Sequence, residues 1–245
     1  MTENTVCLSV VAPVYNEQQV IEKVVRYWFD VLKKNGISHE VVLGDGGSND
    51  GTLETLQQLC SEYPNLKVTH APQPSGYGNA LFSAIYATKG QYVVLLDSDD
   101  QFDLADYAVM LEKLQKEEDL DVVTGFRIRK QDSFIRVFAD RVLNLIVRVM
   151  FGLKQKDTNC ALKVFKGDIA RGLHIEARAW PTPTEIMIRL KAIGCKVGEV
   201  GIKHHERQFG ETKLNVVSTG FEMLLFLFYM KFKLWLYRKK VINRL

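Results

Sequence analysis

Asp97-Ser98-Asp99 closes the apolar run 92–96, and Gln101 follows two residues later. Carboxylates two residues apart at a strand end can turn toward one side and offer hard oxygen ligands. That donor set suits Mg²⁺ or Mn²⁺ bridging a diphosphate, with water and substrate completing the octahedron. Asp100 and Asp103 extend the cluster, so an acidic loop or helix start is the plainer reading. Two more loops carry unusual residues. In Ala12-Pro13-Val14-Tyr15-Asn16-Glu17 the tyrosine can stack on a base and the carboxylate can accept from ribose or base. The plainer reading there is a turn whose glutamate suits a helix N-terminus. Gly44-Asp45-Gly46-Gly47-Ser48-Asn49-Asp50-Gly51-Thr52 is rich in glycine but lacks dinucleotide or P-loop spacing.

Each of these loops follows an apolar run. Residues 6–14, 39–43, 66–70, 92–96 and 122–126 read as strands. Residues 17–34, 50–62 (with Ser48 or Asn49 as cap) and 78–88 read as helices. The alternation predicts an α/β fold, a mostly parallel sheet with helices on both faces. Such sheets bind ligands at the carboxyl ends of their strands, where the three loops lie. Residues 134–151 form an apolar helix whose Arg136, Asp140, Arg141, Asn144 and Arg148 share one polar stripe. A mixed segment leads to Lys213. Residues 216–238 are again helical and rich in aromatics, with Phe221, Leu224, Leu225, Phe228 and Phe232 on one apolar face.

The 245 residues suit one globular domain with room for one appendage. A composition of 47% hydrophobic and 25% charged residues excludes disorder, collagen and repeat arrays. The net charge of +3 hides a split: residues 1–125 hold 8 Lys+Arg against 19 Asp+Glu, and residues 126–245 hold 24 against 10. The acidic half suits a metal; the basic half suits phosphates or an anionic membrane. Basic residues interleaved with long apolar stretches fit nucleic acid poorly. Four scattered cysteines have no metal-like pairing and point to a reduced, cytosolic compartment. The start MTENTV carries no secretory pattern. The longest uncharged apolar run, Met223 to Met230, is eight residues, so no transmembrane helix is expected.

The three loops in this order, together with DTNCALK at 157–163 and His205, Arg207, Gly210 and Lys213, resemble the family 2 glycosyltransferases. The likeness is greatest to the dolichyl- and polyprenyl-phosphate sugar synthases, and it runs from Ser9 to about Leu214. It implies a GT-A (Rossmann-like) fold with amphipathic interfacial helices. It also implies a nucleotide-sugar site of Pro13, Tyr15, Glu17, Asp45, Asp97 and Ser98, and a Mg²⁺ or Mn²⁺ site of Asp97, Asp99 and Gln101. Arg207 and Lys213 would sit on a loop over the diphosphate, and Asp99, Asp157, Arg207 and Lys213 would form the catalytic set. Arg127 and Arg136 match cations that would bind a lipid monophosphate. Three positions depart from the pattern: Gly46 replaces a second Asp, Ser98 the middle residue of Asp-Ala-Asp, and Asp140 a Ser.

The expectation is a metal-dependent, inverting transfer from a GDP- or UDP-sugar to a polyprenyl or dolichyl phosphate. Residues 1–214 would be catalytic, and residues 215–245 a helix attaching the protein peripherally to the cytoplasmic membrane face. An acceptor phosphate has a second pKa of about 6 and needs little general-base help. Asp157 and Glu185 are candidates for a base, with a turn cap and an ordinary first-turn glutamate as the plainer readings. The apolar helices have an alternative in the domain core or a dimer interface, leaving oligomeric state open. Rival functions are transfer to a sugar hydroxyl, or nucleotide-sugar binding without catalysis.

Overall fold

Runs such as LSVVAPV are β-branched and lack polar alternation, which suits strands covered on both faces. The computed structural model describes residues 6–128, 134–179, 181–206 and 216–243. In chain order its elements are β1 (Leu8–Val14), α1 (Ile21–Lys34), β2 (His39–Asp45), α2 (Thr52–Glu62), β3 (Leu66–His70), α3 (Tyr77–Tyr86) and β4 (Tyr92–Leu95). A 3₁₀ turn (Leu104–Asp106), α4 (Tyr107–Lys116), β5 (Val122–Arg127), α5 (Phe134–Phe151), β6 (Lys163–Lys166) and α6 (Gly167–Gly172) follow. The chain continues through α7 (Thr182–Ala192), β7 (Val197–Ile202) and α8 (Val216–Arg238).

The sheet order is β3-β2-β1-β4-β6-β5-β7. Among the described strands only β6 runs antiparallel, to both its neighbours; the α/β, mostly parallel fold is as expected. Strand order reverses between β1 and β4, which opens a crevice at their carboxyl ends. One face of the sheet packs Leu8, Val10 and Val14 against Trp28, Leu56 and Met110 of α1, α2 and α4. The other packs Val11 and Val42 against Leu81, Ile186, Val147 and Leu227 of α3, α7, α5 and α8.

Several boundaries differ from expectation. α1 starts at Ile21 because 17–20 form a turn, with Val20 N and Ile21 N both donating to Glu17 O. α2 starts after Gly51, whose φ of 93° favours glycine. Asp50, not Ser48 or Asn49, accepts from Thr52 N. α4, β6, α6 and β7 lie where no element was expected.

The two apolar helices also differ from expectation. In α8, Met223, Leu227, Met230 and Leu234 enter the core, while Phe221, Leu225, Phe228, Phe232 and Trp235 form a second, exposed stripe at the same spacing. Core and surface readings each describe one face. In α5 the polar residues do not share one solvated stripe: Asn144 is buried and Asp140 is half-buried, whereas Arg141 and Arg148 are exposed. Phe138, Val142, Leu145 and Val149 are exposed at helical spacing. Among the described residues, no helix is long and apolar enough to cross a membrane.

Candidate functional site

β1 and β2 deliver their loops side by side, with Pro13 opposite Gly44 and Val14 opposite Asp45 in the parallel ladder. Close packing demands the glycine: a Cβ on Gly44 would lie 1.9 Å from Ala80 O. The β1 loop turns at Asn16, at φ 56°, and the β2 loop holds it there. Ser48 Oγ accepts from Asn16 N (2.9 Å), Asn16 Oδ1 from Asn49 N (2.9 Å), and Thr52 Oγ1 from Glu17 N (3.0 Å). Tyr15 is thereby left 44% exposed at the crevice. Asp45 is buried, with Oδ2 2.7 Å from His70 Nδ1 and accepting from Gly47 N at 3.2 Å. Ser98 Oγ donates to Pro13 O at 2.9 Å and ties the third loop to the first. Pro13, Tyr15, Glu17, Asp45, Asp97 and Ser98 are thus brought to the carboxyl ends of three neighbouring strands.

The acidic cluster divides into two kinds of residue. Asp100, at φ 64°, pairs with Lys23 at 2.7 Å. Asp103 accepts from Ala105 N (2.8 Å) and the Tyr27 hydroxyl (2.6 Å), capping the 3₁₀ turn. Asp97 and Asp99 face other partners: Tyr77 Oη donates to Asp97 Oδ1 at 2.8 Å, and Gln101 N to Asp99 Oδ1 at 3.2 Å. Gln101 Nε2 donates to His205 O (3.3 Å) and Gln101 O accepts from His205 N (2.9 Å). The segment leading toward Arg207 is therefore seated against this loop. The side-chain bond uses the Gln101 amide nitrogen, so its oxygen is the acceptor end. Two carboxylates and an amide oxygen fit Mg²⁺ or Mn²⁺, which proteins hold through one or two carboxylates plus substrate phosphates. Among the described residues, no three His, Cys, Asp or Glu side chains form a closed cage.

Opposite lies a polar network between β5, α5 and the 157–159 loop. Arg127 grips Asp157 with two donors, Nε to Oδ2 (2.7 Å) and Nη2 to Oδ1 (3.0 Å), and Asp140 lies 3.6 Å away. Asn144 donates to Asp140 Oδ2 (3.2 Å) and accepts from Thr158 N (2.8 Å). Asn159 donates to Asp140 Oδ1 (3.0 Å). Asp157 also accepts from Asn159 N (3.3 Å), the turn cap of the plainer reading. Glu185 is fully buried and accepts from Arg189 Nε (2.6 Å) and Ala177 N (2.7 Å), so it braces α7 and the preceding loop.

Arg207 and Lys213 lie outside the described residues. Arg136 sits in the first turn of α5, its side chain outside them.

Sequence reasoning missed three residues. His70 faces Asp45. Lys163 is fully buried and donates to Cys160 O; burial pushes its ammonium pKa down, while Cys160, Asp157 and Asp97 oppose that. Tyr77 holds Asp97, and burial together with that carboxylate raises its phenol pKa well above the ordinary value. Only the Lys163 position, inside DTNCALK, carried a signal in the sequence.

The model of glycosyl transferase family 2 matches residues 9–172. An undecaprenyl-phosphate 4-deoxy-4-formamido-L-arabinose transferase of Edwardsiella ictaluri is 29% identical over 214 residues, 86% of this chain and 64% of that protein. The chain thus spans just under two thirds of that relative's length. A dolichyl-phosphate beta-glucosyltransferase of Trichomonas vaginalis, ALG5D, is 23% identical, over 96% of this chain and 77% of its own. Among solved structures, glucosyl-3-phosphoglycerate synthase from Mycobacterium tuberculosis, in complex with Mn²⁺ and UDP-glucose, superposes with a TM-score of 0.67 at 20% identity. That match covers 92% of this chain and 78% of the synthase.

Proposed function

The chain belongs to glycosyl transferase family 2, and from that membership we propose that it transfers a sugar from a nucleotide-sugar donor to a polyprenyl-type lipid phosphate. The observation that carries the donor half is the convergence of the three loops on one crevice, with the 203–206 segment tied by His205 to Gln101. Tyr15, Glu17 and Asp45, with Pro13 and Ser98 behind them, frame the nucleoside. Asp97, Asp99 and Gln101 would hold Mg²⁺ or Mn²⁺, and the ion would supply positive charge for the leaving diphosphate. Arg207 and Lys213 add two cations from the segment that follows His205.

The relatives' names support the acceptor half. A lipid phosphate is mostly dianionic near neutral pH, so its oxygen attacks the anomeric carbon without a base and inverts the configuration. Asp157 then orients Arg127 rather than removing a proton. Arg127 shares its guanidinium between Asp157 and the acceptor phosphate, and Arg136 meets that phosphate from α5. The exposed stripes of α5 and α8, edged by Arg141, Arg148, Lys231 and Arg238, support a peripheral seat on an anionic leaflet; the leaflet proposed is that of the cytoplasmic face. In this reading residues 1–214 are catalytic and 215–245 associate with the membrane, although α8 shares the core of the rest.

The test is a screen of radiolabelled UDP- and GDP-sugars against undecaprenyl and dolichyl phosphate, with and without EDTA. Chelator-sensitive transfer to one lipid phosphate is expected. Transfer to a sugar hydroxyl instead, or full activity in chelator, overturns the acceptor or the metal assignment respectively.

A further inference from the structure

The hydroxyl of Tyr77 reaches Asp97 from the first residue of α3, and the two glycines beside it explain how the tyrosine is placed. A Cβ on Gly76 would lie 2.5 Å from Arg178 O, and one on Gly78 1.8 Å from Ala177 O. Gly78 N also donates to Arg178 O at 3.2 Å. No other residue type lets the 177–178 backbone come so close on both sides of Tyr77. That backbone is itself fixed. Glu185, fully buried, accepts from Glu176 N (3.1 Å) and Ala177 N (2.7 Å). The Glu176 carboxylate accepts from Tyr229 Oη of α8 at 2.6 Å and pairs with Lys233. An unbroken set of contacts therefore runs from α8, through Glu176 and the 177–178 carbonyls, to Tyr77 and Asp97.

We propose that Tyr77 is the positioning residue for Asp97, and that Glu176, gripped by α8, sets where Tyr77 stands. A hydroxyl bond restrains the rotation of a carboxylate, so less ordering freedom is lost when that carboxylate meets a cation–diphosphate pair. The Glu176 link makes the seating of α8 a determinant of that geometry. The inference rests on reading Asp97 as a ligand of the donor's metal–diphosphate.

The test measures binding of UDP and GDP by calorimetry, each with and without Mn²⁺, and thermal melting of every variant. Tyr77→Phe removes only the hydroxyl. It should lower the Mn²⁺-dependent part of nucleotide affinity about tenfold, the size of one hydrogen bond to a charged group. Affinity without Mn²⁺ should stay unchanged, and the melting temperature should fall by only a few degrees. Glu176→Gln, or Tyr229→Phe if the first melts early, should shift the same quantity by a smaller factor. That shift should vanish in the Tyr77→Phe background, the signature of acting through the tyrosine. Asp97→Asn separates the failures. If Asp97→Asn leaves Mn²⁺-dependent binding intact, the metal reading itself falls. If Asp97→Asn weakens it and Tyr77→Phe does not, Tyr77 positions nothing. A Glu176→Gln effect that persists in full without the tyrosine hydroxyl overturns the link to α8.

Discussion

The crevice at β1, β2 and β4 and the surface of α5 and α8 are built by opposite means. In the crevice, loops are fixed by bonds to backbone: Asn16, Glu17, Gly47 and Gln101 each give an N–H to a side-chain oxygen. Their geometry does not depend on what lies outside the protein. On the helices, Phe138, Leu145 and Val149 of α5 and Phe228, Phe232 and Trp235 of α8 are more than half exposed, recurring at helical spacing on each helix rather than singly. The first region is held by bonds within the chain; the second leaves apolar side chains at the surface. The polar network of Arg127, Asp140, Asn144 and Asp157 joins the end of β5 and the 157–159 loop to α5, and so has a part in both.

The sharpest way to break this contrast is at the carboxylates. Asp99→Asn should reduce transfer about a thousandfold or more, because under the proposed function it removes a charge and a ligand from the point where diphosphate charge develops. The fold should persist, since Asp99 lies on a loop outside both cores. Circular dichroism and transfer assays on the same sample decide it: lost activity together with lost structure would make Asp99 a fold residue.

Neighbouring positions on α8 come next. Leu227 is fully buried and Phe228 is 65% exposed. Leu227→Ala should cost about 2–5 kcal/mol of stability. Phe228→Ser should change stability by less than about 0.5 kcal/mol yet weaken sedimentation with anionic liposomes. Salt should release part of the wild type by screening the basic edge while the apolar stripe still holds. Equal stability losses at the two positions would mean that the outer stripe is covered by protein.

At the acceptor, Arg136→Ala should raise the KM for lipid phosphate about tenfold or more, the worth of a charge-assisted bond, and leave nucleotide affinity unchanged. Arg207→Ala should weaken nucleotide binding. Equal effects on nucleotide affinity would erase the proposed division between donor and acceptor cations.

What the sequence disclosed follows the same divide. β1, β2 and β4 were legible because strands buried on both faces read as unbroken apolar runs, and their loops carry motif residues. β6 escaped because KVFK holds only two apolar residues between lysines, and β7 because VGEVGI has glycine at every third position and little apolar mass. α8 was legible as a helix but not as two-faced: a helix apolar all round has no periodicity to say which side is core. His70 and Tyr77 were invisible because their roles come from pairing across 25 and 20 residues, which no local spacing encodes.

The smallest expected effect lies at the opposite ends of the same strands, and asks whether carboxylates there do structural work only. Glu40, at the start of β2, is 3% exposed and accepts from Ser9 Oγ (2.7 Å), Lys89 N (2.6 Å) and Lys67 Nζ (2.6 Å). Burial alone would raise its pKa; the bonds from Lys67, Lys89 N and Ser9 outweigh burial and hold it below the ordinary glutamate value. A depressed folded-state pKa contributes stability above the unfolded value and loses it as pH falls through the folded one. Glu40→Gln should therefore lower the melting temperature near pH 7, by about 1 kcal/mol of stability. The gap from wild type should begin to narrow as pH falls below the ordinary glutamate value of about 4.3, and close once pH has passed the lower folded-state value. Transfer at pH 7 should be unaffected, because Glu40 lies a full strand length from the crevice. A gap that stays constant for as long as the wild type remains folded in acid would show that shape, not charge, is what the site needs. A loss of transfer without a loss of stability would carry function to the end of the sheet where none is expected.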